Sequence, residues 1–231
     1  DTPVDGADDV LHRRTWVMRA LGADAIAPEV IVAGCLTRDR RGKEPADIAD
    51  MARAGVRVFT DATYIDDADV VRRCLEYVRG ACDGNAIAIL CGPMRDLAAG
   101  GVVVESAVST RLGLAGVNEA AESLAVMRHV AIGAIADMRV HVGAISSGRS
   151  VDALHGVGAH VSPWHVLLDE RAHLERRYDT SLRLDPPLPT ASSRDALVHA
   201  VQAGAVAVSS GHRAVPNRTK DLEMAIAEAA A

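Results

Sequence analysis

Short apolar runs alternate with amphipathic helical stretches along the chain, and that alternation restricts it to folds built on a parallel sheet. Residues 29–34, 56–59, 86–90, 139–142, 158–161 and 205–209 read as six strands. The runs E-V-I-V-A-G at 29–34 and A-I-A-I-L at 86–90 are apolar at almost every position, the pattern of strands buried on both faces. Helices are expected at 10–21, 46–54, 66–80, 118–136, 151–154, 192–203 and 221–230. Pro45 suits the first turn of the second helix and Gly55 stops it. Glu119 and Glu122 fall in the first turn of the fourth, where the helix dipole favours them. Strict alternation of this kind gives an α/β fold with right-handed crossovers. No G-x-G-x-x-G or G-x-x-x-x-G-K-[ST] loop is present, which favours a closed (β/α) barrel over an open nucleotide-binding sheet.

With 231 residues, 49% of them hydrophobic, the chain can bury its core as one domain over 1–231. A net charge of −6 without basic clusters argues against a nucleic-acid or anionic-membrane surface. No apolar run reaches ~18 residues and none reads as a signal peptide, so a soluble cytoplasmic protein is expected. Cys35, Cys74, Cys82 and Cys91 are too widely spaced for a disulfide framework and lack C-x-x-C pairs; reduced thiols are expected. The chain starts without Met, and D-T-P-V-D reads as the middle of a loop, so a piece of a longer or processed protein is expected.

The stretch M-R-V-H-V-G-A-I-S-S-G-R-S-V at 138–151 runs a strand into a polar turn and a helix, with Ser146, Ser147 and Ser150 as natural N-cap residues. Such a turn presents amides and hydroxyls at the carboxyl edge of a sheet, where ligands bind. Its plainer meaning is one βα unit among several. Residues 91–116, broken by Gly100-Gly101, and the irregular 162–190, with Trp164, His165, Tyr178 and L-D-P-P-L at 184–188, are long for α/β connections and suggest lids or interfaces.

Several collinear segments resemble the dihydroorotase branch of the amidohydrolase family. F-T-D-A at 59–62 is similar to its F-S-D-D-G turn, and L-A-A-G-G-V-V-V-E-S-A-V-S-T-R-L-G-L-A-G at 97–116 to its L-x-x-G-G-V-M-N-E-G-x-V-S-x-x-L-G-L-x-G loop. R-V-H-V-G-A-I-S-S at 139–147 resembles R-x-H-x-x-H-V-S-T, and V-S-P-W-H-V-L-L at 161–168 resembles V-T-P-H-H-L-L-L. Y-D-T-S-L-R-L-D-P-P-L at 178–188 resembles Y-D-T-N-x-K-V-N-P-P-L, and V-S-S-G-H at 208–212 lies where the family has A-T-D-H. The resemblance implies a metal-dependent TIM-type barrel in which the six strands are the third to the eighth. The first two strands, with their His-x-His metal pair, and a flanking β-sandwich are then outside this chain. It also implies pyrimidine biosynthesis, in which zinc-activated water opens dihydroorotate and an Asp of the last strand moves the proton.

At the active positions the chain departs from that pattern. Cys91 matches the strand-five histidine ligand, Ala144 the strand-six ligand, and Gly211 the acidic residue of the last strand. His141 matches the first His of R-x-H-x-x-H, which is not the usual ligand, and reads as a core-edge histidine bonded to backbone. Asp61 and His212 are the remnants of the catalytic set, and Asp185, His165 and Ser146 the candidate substrate contacts. Asp185 replaces the neutral asparagine before Pro-Pro and sets a carboxylate against an anionic substrate. Catalytic zinc needs three or more protein ligands, and Ala144 and Gly211 have no donor. Without zinc, water keeps a pKa of about 15.7 instead of about 7.

The expectation is a noncatalytic dihydroorotase-like chain, a pseudoenzyme with a structural or regulatory role. Like other noncatalytic chains of the family, it is expected to assemble with aspartate transcarbamoylase. The alternative is an active zinc-dependent cyclic amidohydrolase using other ligands. Six strands cannot close a barrel, and two exposed sheet edges favour self-association.

Overall fold

A computed structural model describes residues 3–6, 8–10, 12, 13, 15, 16, 30–98, 100–176 and 178–211. The expected helix at 221–230 lies outside the described residues, as does most of that at 10–21, whose residues 10, 12, 13, 15 and 16 are helical. The chain groups into two compact units, one from Asp1–Cys91 and His129–His141, the other from Gly92–Arg128 and Val142–Ala231. No helix among the described residues is long and apolar enough to cross a membrane.

The first unit is built on three parallel strands, β1 (Ala33–Gly34), β2 (Val58–Phe59) and β3 (Ile87–Leu90). Helices α1 (Ile48–Arg53) and α2 (Ala68–Ala81) make the two crossovers. Phe59, Met51, Leu36, Leu75 and Val71 are fully buried between them. Packing is close enough that a Cβ on Gly34 would lie 2.8 Å from Met51 Sδ and 3.1 Å from Phe59 Cε1. The β1 ladder is shorter than the apolar run at 29–34, because β2 offers only Val58 and Phe59 to pair with; Ile31 is 64% exposed. Val4 borders the other edge of β1, with its N–H on the Ala33 carbonyl (2.9 Å) and its carbonyl on Cys35 N–H (2.7 Å). Beyond β3, Ala88 N–H donates to the Arg139 carbonyl at 3.1 Å, at the start of β6 (Val140–Ala144).

Helix α2 follows its sequence closely. Val70, Val71, Cys74, Leu75 and Val78 form the buried stripe, while Arg72 pairs with Asp69 and Glu76 outside. Asp67 caps it, accepting from Asp69 N–H and Val70 N–H. Asp67→Ala should cost about 1 kcal/mol in denaturant unfolding.

In the second unit, residues 92–98 and 100–116 hold short regular elements where an irregular connection was expected. A short helix α3 (Arg95–Ala98) leads into β4 (Val103–Val104), α4 (Ala107–Leu112) and β5 (Gly116–Val117), with β4 and β5 parallel. Local chemistry explains these elements. Ser106 and Ser109 form a capping box and Gly113, at φ 67°, ends α4 in the left-handed region. Gly116 lets the strands approach, since a Cβ there would lie 2.7 Å from Glu105 Cα.

Helix α5 (Glu119–Ile135) and β6 each run from one unit into the other. Ile145 N–H donates to the His160 carbonyl (3.0 Å), which sets β6 beside β7 (Gly158–Val161). β7 pairs in parallel with β8 (Val206–Val208). Helix α6 (Gly148–Ala153) follows β6, and α9 (Ala191–Gln202) precedes β8. The irregular 162–190 contains α7 (Pro163–Leu167), α8 (Ala172–Glu175) and a 3-10 turn at Thr180–Leu182.

Candidate functional site

The turn that leaves β6 closes on a buried carboxylate from α5. Glu122 Oε1 accepts from Ser146 N–H (3.0 Å), Ser147 N–H (2.9 Å) and Ser150 Oγ (2.5 Å), while Oε2 accepts from Ser146 Oγ (2.8 Å) and shares Ser146 N–H (2.9 Å). Gly148 N–H donates to Ser193 Oγ (2.9 Å), whose hydroxyl donates to Glu119 (2.5 Å), and Arg149 N–H donates to the N-cap Ser147 (3.2 Å). The four amides that an anion could have used are therefore bonded by the chain's own side chains. Of the three serines expected as caps, Ser147 caps α6, and Ser146 and Ser150 serve Glu122. Burial raises the Glu122 carboxyl above its ordinary value, opposed by the hydrogen bonds from Ser150, Ser146 and Ser147.

Beside this turn lies a small crevice of about 10 Å³, room for one water at most, whose walls include Asn118, Glu119, Ser146, Ser147, Pro186 and Pro187. His165 holds the proline wall. Its Nε2 lies 2.8 Å from the Pro186 carbonyl and its Nδ1 2.6 Å from Ser162 Oγ. A carbonyl only accepts, so Nε2 carries the proton and the Ser162 hydroxyl donates to Nδ1. Both ring nitrogens are spent on positioning the chain, and His165 is buried. Asp185, just before, is exposed.

Burial holds His165 below its ordinary value of 6.5, opposed by the Pro186 and Pro187 carbonyls and the Asp185 charge. The unfolded chain takes up this proton near 6.5 and the folded chain only at lower pH. The contribution to stability is thus complete above 6.5 and is lost as pH falls through the folded value. Compared with His165→Gln, which does not titrate, the native protein should lose stability as pH falls from 6.5 to the lower folded value, by up to about 1.4 kcal/mol per pH unit, and no further below it. Urea unfolding of both proteins across that range checks it.

In the first unit Asp61, at the end of β2, is 1% exposed. Its Oδ1 accepts from Leu36 N–H (2.8 Å) and Thr37 N–H (3.0 Å), and its Oδ2 from the Thr37 hydroxyl. Thr37 Oγ1 in turn accepts from Gly42 N–H at 2.9 Å. Burial raises the Asp61 carboxyl, opposed by the bonds from Thr37 and Leu36. Cys91, half-buried, has its Sγ 4.0 Å from Thr60 Oγ1. His141 is half-buried and burial lowers its pKa. Gly211 is exposed at φ 55°, and His212 lies outside the described residues.

The zinc that the family resemblance implies does not fit these residues. Ala144 and Gly211 carry no donor, and both Asp61 oxygens are taken by Leu36 and Thr37. Among the described residues no three His, Cys, Asp or Glu side chains group as a metal centre.

No protein-family profile matches the chain. Its structure is similar to the L-hydantoinase of Arthrobacter aurescens, with a TM-score of 0.72 and 15% identity over 96% of this chain and 51% of that one. It is also similar to the dihydroorotase of Campylobacter jejuni, with a TM-score of 0.62 and 11% identity over 91% and 58% of the two chains. The fold is the TIM-type barrel of the amidohydrolases, present in part. In sequence, the dihydroorotase of Leifsonia xyli is 34% identical over 233 residues, 96% of this chain and 51% of the relative. That of Pelotomaculum thermopropionicum is 32% identical over 210 residues, 87% and 48%. The chain is a homologue of the dihydroorotases, and it spans about half the length of the curated relatives it matches.

Proposed function

We propose that the chain is a dihydroorotase homologue without amide hydrolysis, kept in the cytoplasm for a structural or regulatory role in pyrimidine biosynthesis. The observation that carries this reading is how the surviving polar groups at the strand ends are used. Asp61 closes the turn after β1, Ser146 serves Glu122, and His165 holds Pro186. At two further active positions Ala144 and Gly211 have nothing to offer a metal or a proton. Bulk water has a pKa of about 15.7, so with neither metal nor base it is a poor nucleophile toward a ring amide. A chain of this kind acts through its surface, and the proposed partners are aspartate transcarbamoylase or a second copy of itself.

The test is zinc content of the protein purified without chelators, together with turnover of dihydroorotate. Less than about 0.1 zinc per chain and no turnover are expected. About one zinc per chain with turnover would overturn the reading in favour of an active cyclic amidohydrolase, and ligand mapping would start at Cys91 and Asp61. In sizing chromatography, a sharp monomeric peak unchanged by added aspartate transcarbamoylase would count against both proposed partners.

A further inference from the structure

We draw no further inference here: the strongest candidate, the exposed apolar face of α5 formed by Leu124, Met127 and Ile135, carries none because nothing in the structure shows what covers it.

Discussion

Glu122→Ala is expected to destabilise the protein by about 3 kcal/mol or more, the largest effect of any single polar substitution considered. The methyl group leaves Ser146 N–H, Ser147 N–H and the hydroxyls of Ser146 and Ser150 without their acceptor in a buried turn. Each buried donor left unpaired costs about 1–3 kcal/mol, and relief of carboxylate desolvation offsets part of the sum. Glu122→Gln should fall between Ala and the native protein. Its carbonyl can take the three donors now on Oε1, while its amide nitrogen meets Ser146 N–H where Oε2 now accepts. Denaturant unfolding orders the three proteins, and amide exchange at 146 and 147 localises the effect. An Ala variant as stable as the native protein would mean that the turn holds without its carboxylate.

The carboxylate's position could have been foreseen from its place on the helix. Glu122 shares a face of α5 with the buried Ala121, Ala125 and Val126, so it is an acid in an apolar stripe, and the three serines at 146–150 are donors in search of an acceptor. A favourable helix dipole accounts for an acid in the first turn so readily that this second meaning stays hidden. The sheet was legible for a plainer reason: short apolar runs bounded by turn residues, such as 86–90, read as strands, and the ladder at β3 begins one residue inside the expected bounds, although Ile87 and Ile89 are only half-buried where burial on both faces was expected. Strand length was not legible, because a ladder extends only as far as its partner. Thus β1 pairs at Ala33 and Gly34 alone. β4 and β5 left no signal at all, since two residues cannot display a period of two. The family resemblance located the strand-end positions, but only the hydrogen bonds reveal that Asp61, Ser146 and His165 are engaged with the chain itself.

Asp61 separates a structural carboxylate from a catalytic one by how it tolerates asparagine. Asp61→Ala should cost about 2–3 kcal/mol, because Leu36 N–H and Thr37 N–H lose their acceptor beneath the first unit's core. Asp61→Asn should cost about 1 kcal/mol, less than Asp61→Ala, since both amides bond to the same oxygen, Oδ1, which a carbonyl replaces directly. The new amide nitrogen then meets Thr37 Oγ1, and the buried hydroxyl, which already accepts from Gly42 N–H, turns to accept there too and leaves its own proton unpaired. A proton-transferring or metal-binding aspartate has no such freedom: there Asn fails as badly as Ala, because charge and basicity are what it supplies. Urea unfolding of the two variants therefore tests whether the turn needs an acceptor oxygen or a charge at this position. A clearly smaller loss for Asn than for Ala is what a residue that closes a turn through its acceptor oxygens requires. Equal losses would mean that the turn itself depends on the charge of Asp61 and not on an acceptor oxygen alone.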